Sequence, residues 1–404
     1  MNRRSGFFNV GVLAISNALA FAAAPMMMLV GSLVGSELAP SKDWATLPIA
    51  LVVIGTALGI VPATQAMQRL GRKQALWLFM AIGVCSYLLA GQSLAIKSFA
   101  LFCSCSVLMG FTNAALQQIR FAAMECVALE QAPTAVSVIM CGGIVAAMLG
   151  PELGVLGRHL SAVDYQGSFW LVAICTVVAA VLLSLFTPDR QLTSTMKSSS
   201  RSVSELLKNP AFCMAVVSAA VGYVVMSFVM TGTPISMHHH HGHSLMDTKW
   251  VIQCHIVAMF LPSLISPWLF RLMSIRGMMI IGLVCYGVTV IIGLYDTSVM
   301  GFWSQLVLLG IGWNFLFVAG TALLPSTYLE GEQFKAQAFN DSAVFSSQAV
   351  AALSAGWAMS ATSWETMLLI CLIPIGFMIF MLIWSGLSKK SAPMSPSASQ
   401  STER

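Results

Sequence analysis

The stretch TPDRQLTSTMKSSSRSVSELLKN, residues 187–209, is the longest polar interruption in a 404-residue chain that is 57% hydrophobic and only 9% charged. A soluble domain carries roughly 25% charged residues, so a soluble fold is excluded. Reading outward from this stretch, six apolar runs precede it, near 8–31, 46–66, 75–93, 99–121, 134–156 and 166–186. Six more follow, near 211–233, 249–270, 278–295, 300–323, 341–360 and 365–386. A helix needs about 20 mostly apolar residues to cross a bilayer, and a β-barrel would show short alternating segments instead. The sequence therefore predicts an all-α membrane protein with twelve transmembrane helices in two six-helix, pseudo-symmetric bundles. The expected divisions are an N-terminal bundle (1–187), a cytoplasmic linker (188–210), a C-terminal bundle (211–388) and a disordered tail (389–404). The linker, rich in Ser and charge, should tether the bundles without locking them.

Charge gives the orientation. Threading the runs alternately puts 16 of the 20 Lys and Arg residues on one side, with only Lys42, Lys97, Arg158 and Lys249 opposite. Positive loops stay in the cytoplasm during insertion, so both termini are expected inside a cell inner (plasma) membrane. The basic residues sit singly or in pairs at helix ends, which suits anionic lipid heads and gives no surface for nucleic acid. Arg3, Arg4 and the small residues at Ala20–Ala24 imitate a secretory signal, but the apolar run continues to Gly35 and reads as a retained first helix. The ten cysteines are scattered through apolar runs, and Cys103 and Cys105 match no zinc spacing, so neither a disulfide nor a cysteine-bound metal is expected.

Each half has a short basic turn between its second and third helices, Arg69 to Lys73 and Arg271 to Arg276. With the six-plus-six layout, Arg69-Leu70-Gly71-Arg72-Lys73 resembles the loop signature of the major facilitator superfamily, G-x-x-x-D-R-x-G-R-K. Gln68 stands where that family has an acid that latches the two halves, and Thr64 replaces the leading glycine. A second resemblance lies in Gly142-Gly143 and Gly150-Pro151-Glu152-Leu153-Gly154, similar to a glycine–proline signature often found in antiporters. Glycine permits close helix approach and proline a bend about which a bundle can rock. Gln117 to Glu125, Val251 to His255 and Met259 to Ser263 resemble a bacterial branch that includes riboflavin importers. The resemblance implies a secondary transporter working by alternating access on a small organic solute, with riboflavin or a related aromatic compound as the sharpest expectation. Proton-coupled efflux of drug-like or metabolic solutes is a rival. A membrane sensor that moves no solute is another.

Ionisable and amide groups inside apolar helices are costly and mark candidate sites. For substrate binding these are Asn17, Gln117, Gln118, Arg120, Trp313 and Asn314. Arg120 could meet an anionic group, pair with another helix, or snorkel to the interface. Glu125, about 140° further round the helix, does not share its face. Gln117 and Gln118 suit either a ligand or a neighbouring helix. Trp313 could stack on a flat ring or fill space. For coupling or gating the candidates are Gly150, Pro151, Glu152, His255 and Asp341, with Arg69, Gly71 and Arg72 of the loop. Histidine changes charge near neutral pH, so His255 is either a carrier of a coupling proton or a neutral ring satisfied by a neighbouring helix. Asp341 is either a coupling acid or the cap of an eleventh helix starting there.

His238, His239, His240, His241 and His243 form an external cluster with enough imidazoles for a labile metal site or a pH sensor, or with no task at all. No G-x-x-x-x-G-K-[ST] motif is present, so ATP-driven pumping by this chain is not supported. No catalytic constellation appears and no cofactor is expected. The expected partners are a small-molecule substrate, the lipid bilayer and protons, and the expected state is a monomer.

Overall fold

The computed structural model describes residues 3–40, 44, 47–187, 201–237 and 241–390, and every regular element in them is helical. The first half comprises α1 (Arg3–Phe21), α2 (Ala23–Leu38), α3 (Leu47–Leu70), α4 (Arg72–Ala95), α5 (Phe99–Gln117), α6 (Ile119–Glu125), α7 (Ala132–Leu156) and α8 (Gln166–Leu182). After a one-turn helix, α9 (Val203–Leu206), come α10 (Pro210–Ile235), α11 (Leu245–Phe260), α12 (Ser266–Leu272), α13 (Ile275–Tyr295) and α14 (Val299–Leu323). The last elements are α15 (Gln333–Ala361), α16 (Trp364–Ile370) and α17 (Leu372–Lys390). Helix starts are set locally. Ser98, Asn209, Ser244, Ser274, Ser298 and Ser363 each accept a backbone N–H from the first turn.

Ten helical segments among the described residues are long and apolar enough to cross a membrane. The other two expected crossings are helical, but their sequences are broken or polar. In the eighth, α11 ends at Phe260 and a 3-10 turn over Leu261–Leu264, carrying Pro262, leads into α12. In the eleventh, α15 runs 29 residues and begins at Gln333, eight residues before the expected start. Asp341 is thus two turns inside the helix and is not its cap. The chain also breaks at Ala22, ahead of Pro25, and at Gln118 between α5 and α6.

Helices α1–α8 pack mainly with one another, as do α10–α17. Small residues allow the closest approaches. A Cβ on Gly55 would lie 2.3 Å from the Val107 carbonyl oxygen and one on Gly110 2.4 Å from that of Val52, so α3 and α5 are nearly in backbone contact. On α7, Gly142 meets the Ala14 carbonyl and Gly150 that of Ala22, which seats α7 against the α1–α2 break. Gly143, on another face of α7, admits the ring of Phe260 from the second group. The two groups meet chiefly along α3–α15 and where α7 faces α11, α12 and α14. Large apolar side chains such as Leu58, Val181, Ile373 and Phe380 are left on the outer surface, as a lipid solvent requires.

One end of the molecule gathers the basic turn. Lys73 Nζ donates to the Ser184 and Phe186 carbonyls, and Asn9 Nδ2 donates to that of Thr187. Gly71 makes the turn between α3 and α4 with φ at 86°, a conformation open cheaply only to glycine. At the same end the final part of the linker is not a loose tether. Ser202 and Glu205 form a capping box on α9, and Arg201 pairs with Glu332 just before α15. The Arg201 guanidinium holds the Glu332 carboxyl down to about 2. Residues 188–200 and 391–404, and with them most of the expected tail, lie outside the described residues.

Candidate functional site

A buried polar cluster joins the two helix groups at the basic end. The helix break at Gln118 starts α6, and Arg120 in its first turn is 1% exposed. Its guanidinium pairs with the Asp341 carboxylate of α15, which is fully buried. Asp341 also accepts from Gln118 Nε2 and, at 2.8 Å, from Asn340 Nδ2. Arg120 donates to the backbone and side-chain oxygens of Gln117 at 3.0 and 3.1 Å, and lies over the rings of Phe121 at 4.5 Å and Phe317 at 4.8 Å. Two buried charges are tolerated when they are paired and further hydrogen-bonded; Asp341 has such bonds from Gln118 and Asn340, and Arg120 has those to Gln117, though its Nε has none among the described residues. The pair can therefore form only while these ends of α6 and α15 are together.

A second link lies alongside. Arg72 forms a bidentate pair with Glu125 and donates to Gln337 Oε1 of α15 at 2.6 Å. Gln337 in turn donates to the Tyr328 hydroxyl at 3.1 Å, and Phe334 lies 4.7 Å from the Arg72 guanidinium. Position 68, where the loop signature has an acid, carries an exposed Gln68, while Arg72 makes its cross-group contact through Glu125 and Gln337.

Further from this end, a small, mostly apolar pocket is lined by residues of α1, α2, α3, α4 and α5, among them Ala20, Met27, Tyr87, Met109, Asn113 and Leu116. Asn17 lies one turn from Ala20 and Phe21 on the same side of α1, and its amide oxygen is buried without a partner among the described residues. In the second group Trp313 packs with Tyr223 (5.2 Å), Phe260 (5.8 Å) and Phe317 (5.1 Å), and its indole N–H has no acceptor among the described residues. Phe317 touches both this aromatic cluster and Arg120, so cluster and ion pair are continuous.

The structure thus brings together Gln117, Gln118, Arg120 and Asp341, with Trp313 adjoining through Phe317. It separates others from them. Asn314 Nδ2 donates to the Met259 carbonyl and to Ser263 Oγ, both at 2.7 Å, stitching α14 to α11 and the 3-10 turn. His255 Nδ1 sits 2.8 Å from the Leu306 carbonyl. A carbonyl only accepts, so the proton is on Nδ1, and Nε2 is left buried and unpaired. Glu152 is exposed, and Gly150 and Pro151 lie at the contact of α7 with the first crossing. Arg69 is exposed. His238, His239 and His240 lie outside the described residues. His241 and His243 stack with centroids 6.4 Å apart beside Phe302, with ring nitrogens on the Ser236 and Thr297 carbonyls. Among the described residues no group of three or more His, Cys, Asp or Glu could hold a metal. Asn113, Tyr223 and Gln337 were not singled out by the sequence reading. Of these, Asn113 is an amide inside an apolar run, whereas Gln337 lies in a polar stretch with Gln333, Asn340 and Asp341.

Two groups of helices joined at one end by buried charges, with a lined pocket beyond the join, define a polytopic membrane carrier. The chain belongs to the major facilitator superfamily, whose family model matches residues 7–328, and it is a secondary transporter of that family and not an enzyme. It is 34% identical to "Riboflavin transporter RfnT" of Brucella anthropi over 361 residues, covering 89% of this chain and 90% of that protein. It is 29% identical over 317 residues to the uncharacterized MFS-type transporter YddS of Bacillus subtilis, covering 73% and 72%. Among solved structures it is similar to FucP in the outward conformation, with TM-score 0.74 and 13% identity over 94% of this chain and 99% of that one. The human organic anion transporter MFSD10 gives TM-score 0.73 and 13% identity over 95% and 100%. Identities this low speak to the fold alone.

Proposed function

We propose that the protein takes a flat aromatic solute of the riboflavin kind across the inner membrane by alternating access. The bundles at 1–187 and 211–388 move as bodies about the α7 contact, and both termini are cytoplasmic. The observation that carries the substrate is the 34% identity, along 89% of the chain, to a protein named as a riboflavin transporter. The aromatic cluster of Trp313, Tyr223 and Phe317, buried here with Phe260 half-buried at its edge, is the group a flat ring would meet once the bundles part.

On this reading the Arg120–Asp341 and Arg72–Glu125–Gln337 links are the cytoplasmic gate, held shut here. Solute enters from the outer side, and the gate parts after it binds. Gly142, Gly143 and Gly150 keep α7 close to both groups, which makes it the element about which they rock. Purified protein in liposomes tests the proposal: riboflavin uptake should saturate and require the protein. Uptake of unrelated solutes, with riboflavin neither moved nor competing, would overturn it.

A further inference from the structure

Asn113 sits in the wall of the pocket lined by Ala20, Met27, Val52, Tyr87 and Met109. Its amide nitrogen lies 3.1 Å from Thr56 Oγ1. Thr56, itself 2% exposed, lies 2.8 Å from the Val52 carbonyl oxygen. A carbonyl cannot donate, so the Thr56 hydroxyl must spend its one proton there and can offer Asn113 only a lone pair. That fixes the amide: Nδ2 faces Thr56, and Oδ1 is the atom turned away. Oδ1 is buried and has no partner among the described residues. Buried acceptors are normally satisfied, and one held unsatisfied in the wall of a pocket, by a neighbour that forbids its rotation, is a group awaiting a donor.

From this we infer that Asn113, oriented by Thr56, is a specificity-determining residue that selects solutes carrying an N–H donor on the polar edge of a flat ring. The inference rests on the flavin reading above and deepens it. A flavin ring has an apolar edge and an opposite edge whose imide N–H lies between two carbonyls. The imide N–H suits a fixed amide oxygen, and the apolar edge suits Ala20, Met27 and Met109 of the same lining. A solute whose ring nitrogen carries a methyl group leaves Oδ1 unpaired and crowds it. A site built around a hydrogen bond rejects an analogue that lacks it far better than an apolar site rejects one with a changed methylene.

The test measures binding of riboflavin and of riboflavin methylated at the imide nitrogen by full-length protein in detergent, through quenching of flavin fluorescence. Wild type should prefer riboflavin by about 10-fold or more, the worth of one buried hydrogen bond at its upper range. Asn113→Leu should bind riboflavin about 10-fold more weakly and treat the two compounds alike. Thr56→Val, which leaves the pocket wall in place but frees the amide to turn, should reduce the preference without abolishing binding. Preference undiminished in either variant, or absent from wild type that binds riboflavin, would overturn the role of Asn113 and leave the flavin reading standing. Wild type that binds neither compound would instead sink the flavin reading, and this inference with it.

Discussion

Replacing Asp341 with asparagine should open the basic end of the protein. The substitution keeps the shape of the side chain and an acceptor for Gln118, but removes the one carboxylate paired with Arg120 among the described residues. Arg120 is 1% exposed and would keep its charge between two aromatic rings, with Gln117 as its remaining oxygen partner. Removing one member of a buried pair costs about 3–5 kcal/mol, and the retained amide acceptor argues for the lower end. The two residues lie on helices of different groups, so separation of the groups would return Arg120 to water. The cost then falls on the closed arrangement alone. About 3 kcal/mol is somewhat over 100-fold in the equilibrium between closed and open forms. Spin labels at Arg69 and Leu329, both exposed, in a background with the ten native cysteines replaced, would report the distance across this end. Asp341→Asn should move the distribution to longer distances. The double variant Arg120→Met with Asp341→Leu should return it toward the wild-type value, because no uncompensated charge remains. An unchanged distribution in Asp341→Asn, or a double variant as open as the single one, would refute the argument that this pair holds the end shut.

Three further outcomes follow from particular contacts. Gly150→Ala would place a Cβ 2.5 Å from the Ala22 carbonyl oxygen, so α7 must move from the first crossing; a loss of about 1–3 kcal/mol is expected, seen as a lower melting temperature in detergent. Glu332 titrates at about 2 when paired with Arg201 and near 4.5 when free. Its folded value is depressed, so the docking of the linker end is fully present above about 4.5 and is lost as pH falls toward 2. Glu332→Gln should abolish that dependence and speed tryptic cleavage after Arg201 at neutral pH, as read by mass spectrometry. His255→Leu removes the Nδ1–H bond to the Leu306 carbonyl, along with a buried nitrogen that has no partner. These oppose each other, so a stability change within about 1 kcal/mol is expected in thermal unfolding, whereas a collapse of folding would show that Nε2 has a structural role.

The layout of the fold was legible because bilayer thickness sets a length that apolar runs must meet, and the polar stretch at 187–209 is too long to hide among them. The eleventh helix shows where that rule fails. Its first two turns hold Gln333, Gln337 and Asn340, which hydropathy reads as loop, yet Gln337 is fully buried against Arg72 and Glu125 of the first group, and Asn340 is fully buried beside Asp341. A helix that buries polar groups in other helices has no apolar run to announce it. Arg120 and Asp341 were each visible as costly charges. Their pairing was not, since 221 residues separate them and no local pattern sets the register of one helix group against the other. Trp313 stood out by its bulk. Asn113 did not, because a single amide in an apolar helix reads equally as a contact between helices, and only the Thr56 hydroxyl, 57 positions away, shows which of its atoms is spent.

The most direct test of the central claim is uptake of radiolabelled riboflavin into proteoliposomes, with and without an imposed proton gradient. The account predicts saturable accumulation that requires the protein and that falls when the Arg120–Asp341 pair is broken. Folded protein that moves no riboflavin under either direction of the gradient would contradict it.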